Sequence, residues 1–289
     1  FSHADIAPLA ALDDGHYLLE LFHGPTLAFK DVAMQLLARL MDDALRRRGQ
    51  RATIVGATSG DTGGAAIEAF RGRDAVDVFI LYPQGRVSDI QRMQMTTPTD
   101  ANVHTLAVDG TFDDCQALVK AMFNDSHFRQ EVNLAGVNSI NWARVMAQTT
   151  YYFTAAAQLG SPDTPVGFSV PTGNFGDIFA GYVAAQMGLP VARLMIATNV
   201  NDILARVMQA GIYETEEVIA TSSPSMDIQV SSNFERLLFE LTRRDAPRVS
   251  GFMNALARDG RFEIAEDEVA LMSALFDAAR VDEAQTQET

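Results

Sequence analysis

Short apolar runs alternate with longer amphipathic stretches along most of the chain. Five runs are strand-like because they are short and rich in apolar and β-branched residues, namely 53–56, 76–82, 103–108, 166–170 and 192–197. Helical patterns lie between them at 88–95, 112–123, 141–159 and 201–209. Strands separated by helices predict parallel sheets with right-handed crossovers, so an α/β protein is expected.

The pattern changes in the last part of the chain. After about residue 225 it is helical only, with predicted helices at 233–243, 250–258 and 266–279. A polar tail without a closing strand follows Arg280. Long crossovers favour two packed α/β lobes that bind a ligand at the carboxyl ends of their strands. The predicted fold is therefore two open, twisted, mainly parallel sheets flanked by helices.

One lysine stands where an apolar segment meets a predicted helix. Lys30 follows Ala28 and Phe29, and an amphipathic helical pattern begins at Asp31 and ends near Gly49. A lysine held among apolar neighbours loses its proton more easily, which is what a Schiff-base amine needs. The alternative is a surface lysine whose apolar stem lies along the helix end.

Two glycine-rich loops follow predicted strands and precede predicted helices. They are TSGDTGG at 58–64 and PTGNFGD at 171–177. In this geometry, backbone N–H groups and a helix dipole can hold an anion. Neither loop is a P-loop, and neither has the G-x-G-x-x-G spacing of dinucleotide-binding folds. The alternative is that the glycines only permit tight turns.

The length and composition of the chain limit which partners and which kinds of site can be expected. The chain has 289 residues, enough for one large or two ordinary domains, and its 47% hydrophobic content is that of a globular protein. A net charge of −15 argues against nucleic acid and requires any phosphate site to be locally positive. Cys115 is the single cysteine, which excludes a cysteine-rich metal site and suits a reducing, cytoplasmic location. No apolar run is long enough to predict a membrane span.

Five segments in chain order carry a family resemblance. They are HGPTLAFKD, ATSGDTGGAA, NSINWAR, VPTGNFGDIFAG and SPSMDIQVSSNFERL. Through them nearly the whole chain resembles the threonine synthases, pyridoxal-phosphate (PLP) lyases of the tryptophan-synthase-β fold type, also called PLP fold type II. The resemblance implies β,γ-elimination and replacement, which converts O-phospho-L-homoserine and water to L-threonine and phosphate. It also implies that Lys30 holds the cofactor as a Schiff base and then moves protons.

The resemblance implies roles for further residues. The cofactor phosphate is assigned to Gly173, Asn174, Phe175, Gly176 and Asp177, with the Asp177 side chain capping the loop or helix. Asp61 is expected near the 3′ oxygen of the cofactor. Substrate-binding residues are expected to be Ser59, Thr62, Asn138, Ser139, Asn141 and Arg144. Without the resemblance, NSIN is a helix-capping cluster and Arg144 a surface residue.

The family also implies a division into lobes. Residues 31–160 would form a smaller α/β lobe on the substrate side, and residues 1–30 plus 161–289 a larger lobe that binds the cofactor phosphate. The family's N- and C-terminal portions, including the partner of the pyridine nitrogen, are not in this sequence. We therefore expect an isolated 289-residue chain to fold poorly or to bind the cofactor weakly. A monomer or weak dimer is expected.

Three other interpretations stay open. The first is another enzyme of fold type II, a serine/threonine dehydratase or a cysteine synthase, although the segments TSGDTG and NSINWAR argue against it. The second is a catalytically silent paralogue that still binds the cofactor; no residue of the five segments is missing, so nothing in them supports it. The third is a protein without cofactor, which a yellow colour on purification would exclude.

Overall fold

The computed structural model describes residues 6–58 and 60–288. The chain divides into two compact units, Phe1–Ala147 and Gln148–Thr289. Each unit is built around a parallel sheet with helices between its strands. The lobe boundaries given above, 31–160 against 1–30 with 161–289, stay a prediction.

The first unit begins with a hairpin and continues as alternating helices and strands. Its elements are β1 (Leu9–Asp13), β2 (His16–Leu19), α1 (Lys30–Arg47), β3 (Ala52–Ala57), α2 (Asp61–Phe70), β4 (Val76–Pro83), α3 (Asp89–Thr96), β5 (Val103–Val108), α4 (Phe112–Asn124), α5 (Ser126–Glu131) and β6 (Leu134–Ala135). Helix α6 (Trp142–Gln158) crosses the division along the chain.

The sheet of the first unit has the parallel order β5-β4-β3-β6. Its two faces are buried in different clusters, because successive side chains of a strand point to opposite sides. Ile54 packs in a cluster with Met34 of α1 and Phe70 of α2. Val55, the next residue of β3, packs instead with Cys115 of α4. Helices therefore cover both faces, as a parallel sheet requires.

The second unit alternates in the same way but adds a short antiparallel ribbon. Its elements are β7 (Val166–Pro171), α7 (Gly176–Gln186), β8 (Val191–Thr198), α8 (Ile203–Ala210), β9 (Ile212–Glu214), a 3-10 helix (Pro224–Met226), α9 (Phe234–Leu241), α10 (Ala246–Asp259), β10 (Arg261–Glu263), α11 (Glu266–Ser273), β11 (Phe276–Arg280) and α12 (Glu283–Glu288). The predicted central strands of both units are present, with bounds within about two residues of those expected.

The sheet of the second unit has the parallel order β11-β8-β7. The prediction of helix alone after residue 225 is wrong, because β10 and β11 lie in that region. The helix predicted over 266–279 ends at Ser273, and Phe276 pairs with Leu194 at the start of β11. Pairing with β8 and burial of the Phe276 ring outweigh the helical pattern of an alanine-rich sequence.

Two antiparallel ribbons were not predicted. Strands β1 and β2 form a hairpin joined by Asp14 and Gly15, and Gly15 has a φ of +90°. Aspartate followed by glycine between two apolar runs is a typical hairpin turn, so the sequence held this signal. Strand β9 pairs with β10, although α9 and α10 separate them along the chain.

The predicted α/β class, with parallel sheets flanked by helices, is confirmed. Among the helices in the described parts of the chain, none is both long and apolar enough to cross a bilayer.

Candidate functional site

Lys30 is the first residue of α1 and is buried, at 8% exposure. Its Nζ lies 4.7 Å from the centroid of the Phe29 ring. The same atom lies 3.3 Å from Oδ2 of Asp61, the first residue of α2. The amine is thus held between an aromatic face and a carboxylate, both of which stabilise a positive charge. It is not a snorkelling surface lysine.

The loop before α1 is organised around the buried Asp31 side chain. Backbone N–H and hydroxyl of Thr26 donate to the two carboxylate oxygens of Asp31, each at 2.8 Å. Burial raises the pKa of Asp31, and the hydrogen bonds from Thr26 partly oppose that shift. A Cβ at Gly24 would lie 2.5 Å from Cβ of Asp31, so this position of the HGPT sequence requires glycine. The loop therefore fixes the backbone on both sides of Lys30.

The first glycine-rich loop is closed by a threonine hydroxyl. Thr58 Oγ1 accepts from the backbone N–H groups of Gly60 and Gly63, each at 3.0 Å. A Cβ at Gly63 would lie 2.5 Å from the Thr58 methyl group and 3.0 Å from Cγ2 of Ile80 in β4, so glycine permits the close approach of α2 to the loop and the sheet. Thr62 follows Asp61 in the first turn of α2. Ser59 lies outside the described residues.

The NSINWAR segment forms the entrance to α6. Asn141 precedes the helix, and its Oδ1 accepts from the N–H of Ala143 at 3.0 Å, as a capping residue does. Arg144 is buried, at 4% exposure, and its Nη1 donates to the carbonyl of Val137 at 3.1 Å. The capping interpretation holds for Asn141. The surface interpretation of Arg144 is wrong, and the structure has a buried cation there.

In the second unit, Gly173–Asp177 lies just after β7 and includes the first two residues of α7. Phe175 has a φ of +64°, in the left-handed region, and directly precedes the first residue of α7, Gly176. The Phe175 ring is fully buried and packs against Phe234 and Phe276. The Phe175 side chain therefore belongs to the core of the second unit and does not face a ligand. The first N–H groups of an α-helix have no intrahelical acceptor, so the start of α7 is suited to an anion.

Asp177 uses its side chain within the loop. Its Oδ1 accepts from the hydroxyl of Thr172 at 2.5 Å and from the N–H of Ile178 at 2.9 Å. Thr172 Oγ1 in turn accepts from the N–H of Phe175 at 3.1 Å. The hydroxyl of Tyr152 donates to the Asp177 carbonyl at 2.8 Å. The carboxylate therefore caps and shapes the loop, as the sequence predicted for it.

The SPSMDIQVSSNFERL segment packs against this loop. The Asn174 carbonyl accepts from the backbone N–H and the side-chain Nδ2 of Asn233, at 3.0 and 3.1 Å. A Cβ at Gly173 would lie 2.8 Å from Cγ1 of Ile228. Asp227 is itself held by Asn199, Asn201 and Thr221. The segment thus fixes the conformation of the loop from outside.

The structure brings some of the predicted residues into contact and leaves others in separate segments. Lys30 and Asp61 form an ion pair, and 173–177 form one continuous segment that runs into the first turn of α7. Asn138–Arg144 is a separate segment of the first unit.

Sequence reasoning missed the residues that support these groups. They are Thr26, Thr58, Gln91, Gln94, Tyr152, Thr172, Ile228 and Asn233. Gln91 carried a local signal, since it is the fourth residue of an S-x-x-Q capping box. The residues that lie inside the five family segments, without a role assigned to them there, are Thr26, Thr58, Thr172, Ile228 and Asn233.

A family model described as "Pyridoxal-phosphate dependent enzyme" matches residues 8–271. A curated relative from Pseudomonas aeruginosa, named threonine synthase, is 54% identical over all of this chain and 62% of its own length. The threonine synthase of Saccharomyces cerevisiae is 49% identical over 94% of this chain and 57% of its own length. This chain thus spans about three fifths of the curated relatives it matches.

Solved structures that match this chain indicate the same family. The PLP-bound threonine synthase from Brucella melitensis superposes with a TM-score of 0.96 and 61% identity, over 99% of this chain and 62% of that one. The yeast threonine synthase gives a TM-score of 0.92 and 48% identity, over 100% of this chain and 61% of that one. The resemblance found in the sequence, and with it fold type II, is confirmed.

Proposed function

Because the chain belongs to the family of pyridoxal-phosphate-dependent enzymes, we propose that it is part of a threonine synthase, acting on O-phospho-L-homoserine and water to give L-threonine and phosphate. The observation that carries the proposal is 54% identity, along the whole chain, to a protein named threonine synthase. Membership of the family also confirms the predicted cofactor, pyridoxal phosphate. Cytoplasmic location, a small phosphorylated amino acid as substrate, and a monomeric or weakly dimeric state belong to the same proposal.

The residues present fit that cofactor. A buried lysine beside a carboxylate offers an amine for the aldehyde, and a glycine loop at the start of α7 offers backbone donors for the phosphate. When bound, pyridoxal phosphate acts as an electron sink that stabilises negative charge on the substrate carbon next to the amine. We assign Lys30 as the cofactor lysine, Asp61 to the region of its 3′ oxygen, and 173–177 to its phosphate.

Lys30 is proposed to act a second time as a proton carrier. Once displaced by the substrate amine, a neutral Lys30 can take protons from Cα and Cβ and return them. Each time the amine accepts a proton, the Asp61 carboxylate stabilises the resulting ammonium. The Phe29 ring covers the same nitrogen and limits its contact with water.

The substrate phosphate is assigned to the NSINWAR segment, at Asn138, Ser139, Asn141 and Arg144. Arg144 supplies the positive charge, and its guanidinium can donate to phosphate oxygens while Nη1 holds the Val137 carbonyl. In a chain with a net charge of −15, such local positive charge is needed to bind a phosphate. Ser59 and Thr62 are assigned to the substrate as further hydroxyl donors.

The cofactor assignment is tested by covalent mapping. Borohydride reduction of the cofactor-loaded enzyme, followed by peptide mapping, should place the pyridoxyl group on Lys30. Lys120 is the other lysine of this sequence and serves as the internal comparison. A pyridoxyl group on Lys120 would contradict the assignment.

The reaction is tested by its products. The enzyme supplied with O-phospho-L-homoserine should release phosphate and form threonine in equal amounts. A dehydratase would instead release ammonia from serine or threonine. Cofactor binding without turnover of either substrate would identify a silent paralogue.

A further inference from the structure

We propose that Gln91, on helix α3, is a positioning residue that orients Asp61 toward Lys30. The proposal deepens the function given above, because it takes Lys30 as the cofactor lysine. It concerns only groups within the first unit.

The contacts form a chain of three side chains. Nε2 of Gln91 donates to Oδ1 of Asp61 at 2.9 Å. Oδ2 of the same carboxylate lies 3.3 Å from Nζ of Lys30. One oxygen of Asp61 is therefore held by Gln91 and the other faces the amine. Rotation of the carboxylate would disturb both contacts together.

Gln91 is fixed by its own surroundings. Its Oε1 accepts from the backbone N–H of Ser88 at 3.3 Å and from the Ser88 hydroxyl at 3.0 Å, which forms a capping box at the start of α3. A backbone N–H can only donate, so the amide oxygen must face Ser88 and the NH₂ group must face Asp61. A Cβ at Gly60 would lie 2.3 Å from the Gln91 amide, so glycine there makes room for the side chain.

A second glutamine ties α3 to the loop before Lys30. Gln94, one turn after Gln91 and on the same face of the helix, donates from Nε2 to the carbonyl of Thr26 at 3.1 Å. Thr26 holds both carboxylate oxygens of Asp31, the neighbour of Lys30. The helix is also anchored by the fully buried Met95. Through these contacts α3 has a defined position relative to Lys30, which an orienting residue requires.

The test measures the reactivity of the Lys30 amine and needs no turnover. In the full chain freed of cofactor, reductive methylation is followed by mass spectrometry of the peptides containing Lys30 and Lys120. Gln91→Leu removes the donor, so Asp61 turns away and the Lys30 labelling rate should rise about threefold. Gln91→Glu keeps the capping group and adds negative charge beside Asp61, so the rate should fall about threefold.

Control variants distinguish a change in the orientation of Asp61 from a general loosening of the structure around Lys30. Ser88→Ala weakens the cap but keeps the contact between Gln91 and Asp61, and should leave the Lys30 rate unchanged. Asp61→Asn should give the largest increase. The exposed Lys120 should label equally in every variant.

Opposite effects of the two Gln91 variants are the expected result, because a purely structural role would speed labelling in both. Equal rates in both, or an increase in both, would overturn the proposal. A pyridoxyl group mapped to another residue would overturn the proposed function instead, and would leave the labelling result intact.

Discussion

Tyr213 shows at the scale of one residue how the second unit places a polar atom in an apolar core. Its ring stacks between those of Phe234 and Phe262, with centroids 5.2 and 4.8 Å away. Its hydroxyl oxygen accepts from the backbone N–H of Ser231 at 2.8 Å, just before the residues that hold the Gly173–Asp177 loop. Burial raises the pKa of Tyr213 to about 12.

Tyr213→Phe should lower the free energy of unfolding by about 1–3 kcal/mol, because the buried Ser231 N–H loses its acceptor. The folded state binds the phenol proton more tightly than the unfolded chain does. The stability that Tyr213 contributes is therefore complete below its unfolded pKa of 10.0 and is lost as pH rises toward about 12. Urea denaturation between pH 8 and 11 should show this decrease in the wild type and a smaller one in the variant. The exposed Tyr17→Phe is the control, and equal pH dependence in all three proteins would contradict the prediction.

Arg144 gives a second prediction at this scale. Arg144→Ala should leave the protein yellow and weaken binding of the phosphorylated substrate by about 2–4 kcal/mol, since a charge-assisted contact is lost. The measurement is cofactor absorbance beside KM for O-phospho-L-homoserine. The exposed Arg129→Ala is the matched control and should change neither. Parallel loss of cofactor and substrate binding in Arg144→Ala would show that the two anion sites have been misassigned.

At the scale of elements, the sequence revealed the central strands best. Strands β3 and β4 are nearly continuous apolar runs, because the sheet buries both of their faces. Strands β5, β7 and β8 are more exposed, and it was their short runs of β-branched and apolar residues that revealed them. Strand β11 was missed because its sequence, FDAAR, is short and half exposed, and its extended form depends on pairing with β8. Local patterns do not encode such distant pairing.

In the candidate site, too, local features could be predicted and distant contacts could not. Lys30 and the two glycine loops could be found from local sequence, because each needs a particular residue type next to a strand or a helix. The contact of Gln91 with Asp61 joins positions 30 residues apart, so it could not be found from local sequence. Arg144 looked like a surface residue because nothing in its local sequence signals that it is buried.

Gly173 provides the prediction at this scale. Gly173→Ala should destabilise the second unit by about 1–3 kcal/mol, because the new Cβ would meet Cγ1 of Ile228 at 2.8 Å. Combining it with Ile228→Ala removes that atom, so the double variant should be more stable than the sum of the single effects predicts. Denaturation of the four proteins of this cycle measures the coupling.

Gly251→Ala is the matched control for that experiment. Gly251 lies within α10, and a Cβ there meets nothing within 4 Å. This change should stabilise the protein by about 0.5–1 kcal/mol, as alanine does in a helix. Additive effects of Gly173→Ala and Ile228→Ala would mean that the glycine is required for another reason.

At the scale of the whole molecule, β11 links the end of the described chain to the core of the second unit. It pairs with β8 from Phe276↔Leu194 to Arg280↔Thr198. The Phe276 ring packs on Phe175, next to the start of α7. The N–H of Val281 donates to the Thr198 carbonyl and extends the pairing.

Two truncations should therefore differ sharply. A chain ending at Asp282 keeps β11, and its β8 amides should exchange with solvent as slowly as in the untruncated chain. A chain ending at Leu275 loses the edge strand and the Phe276 ring, so the β8 amides should exchange at least tenfold faster. Hydrogen exchange followed by mass spectrometry measures both. The same protection of β8 in the two chains would show that β11 adds nothing to the sheet.

The pairing of β8 with β11 also has a consequence for synthesis on the ribosome. About 80 residues separate the two strands along the chain. Translation at roughly 5–20 residues per second takes about 4–16 s to synthesise that stretch. During that interval one edge of β8 has no strand beside it, and the apolar face under β11 is uncovered. The nascent chain therefore exposes an unpaired strand edge, open to pairing with another chain, from the time β8 emerges until residue 280 follows it.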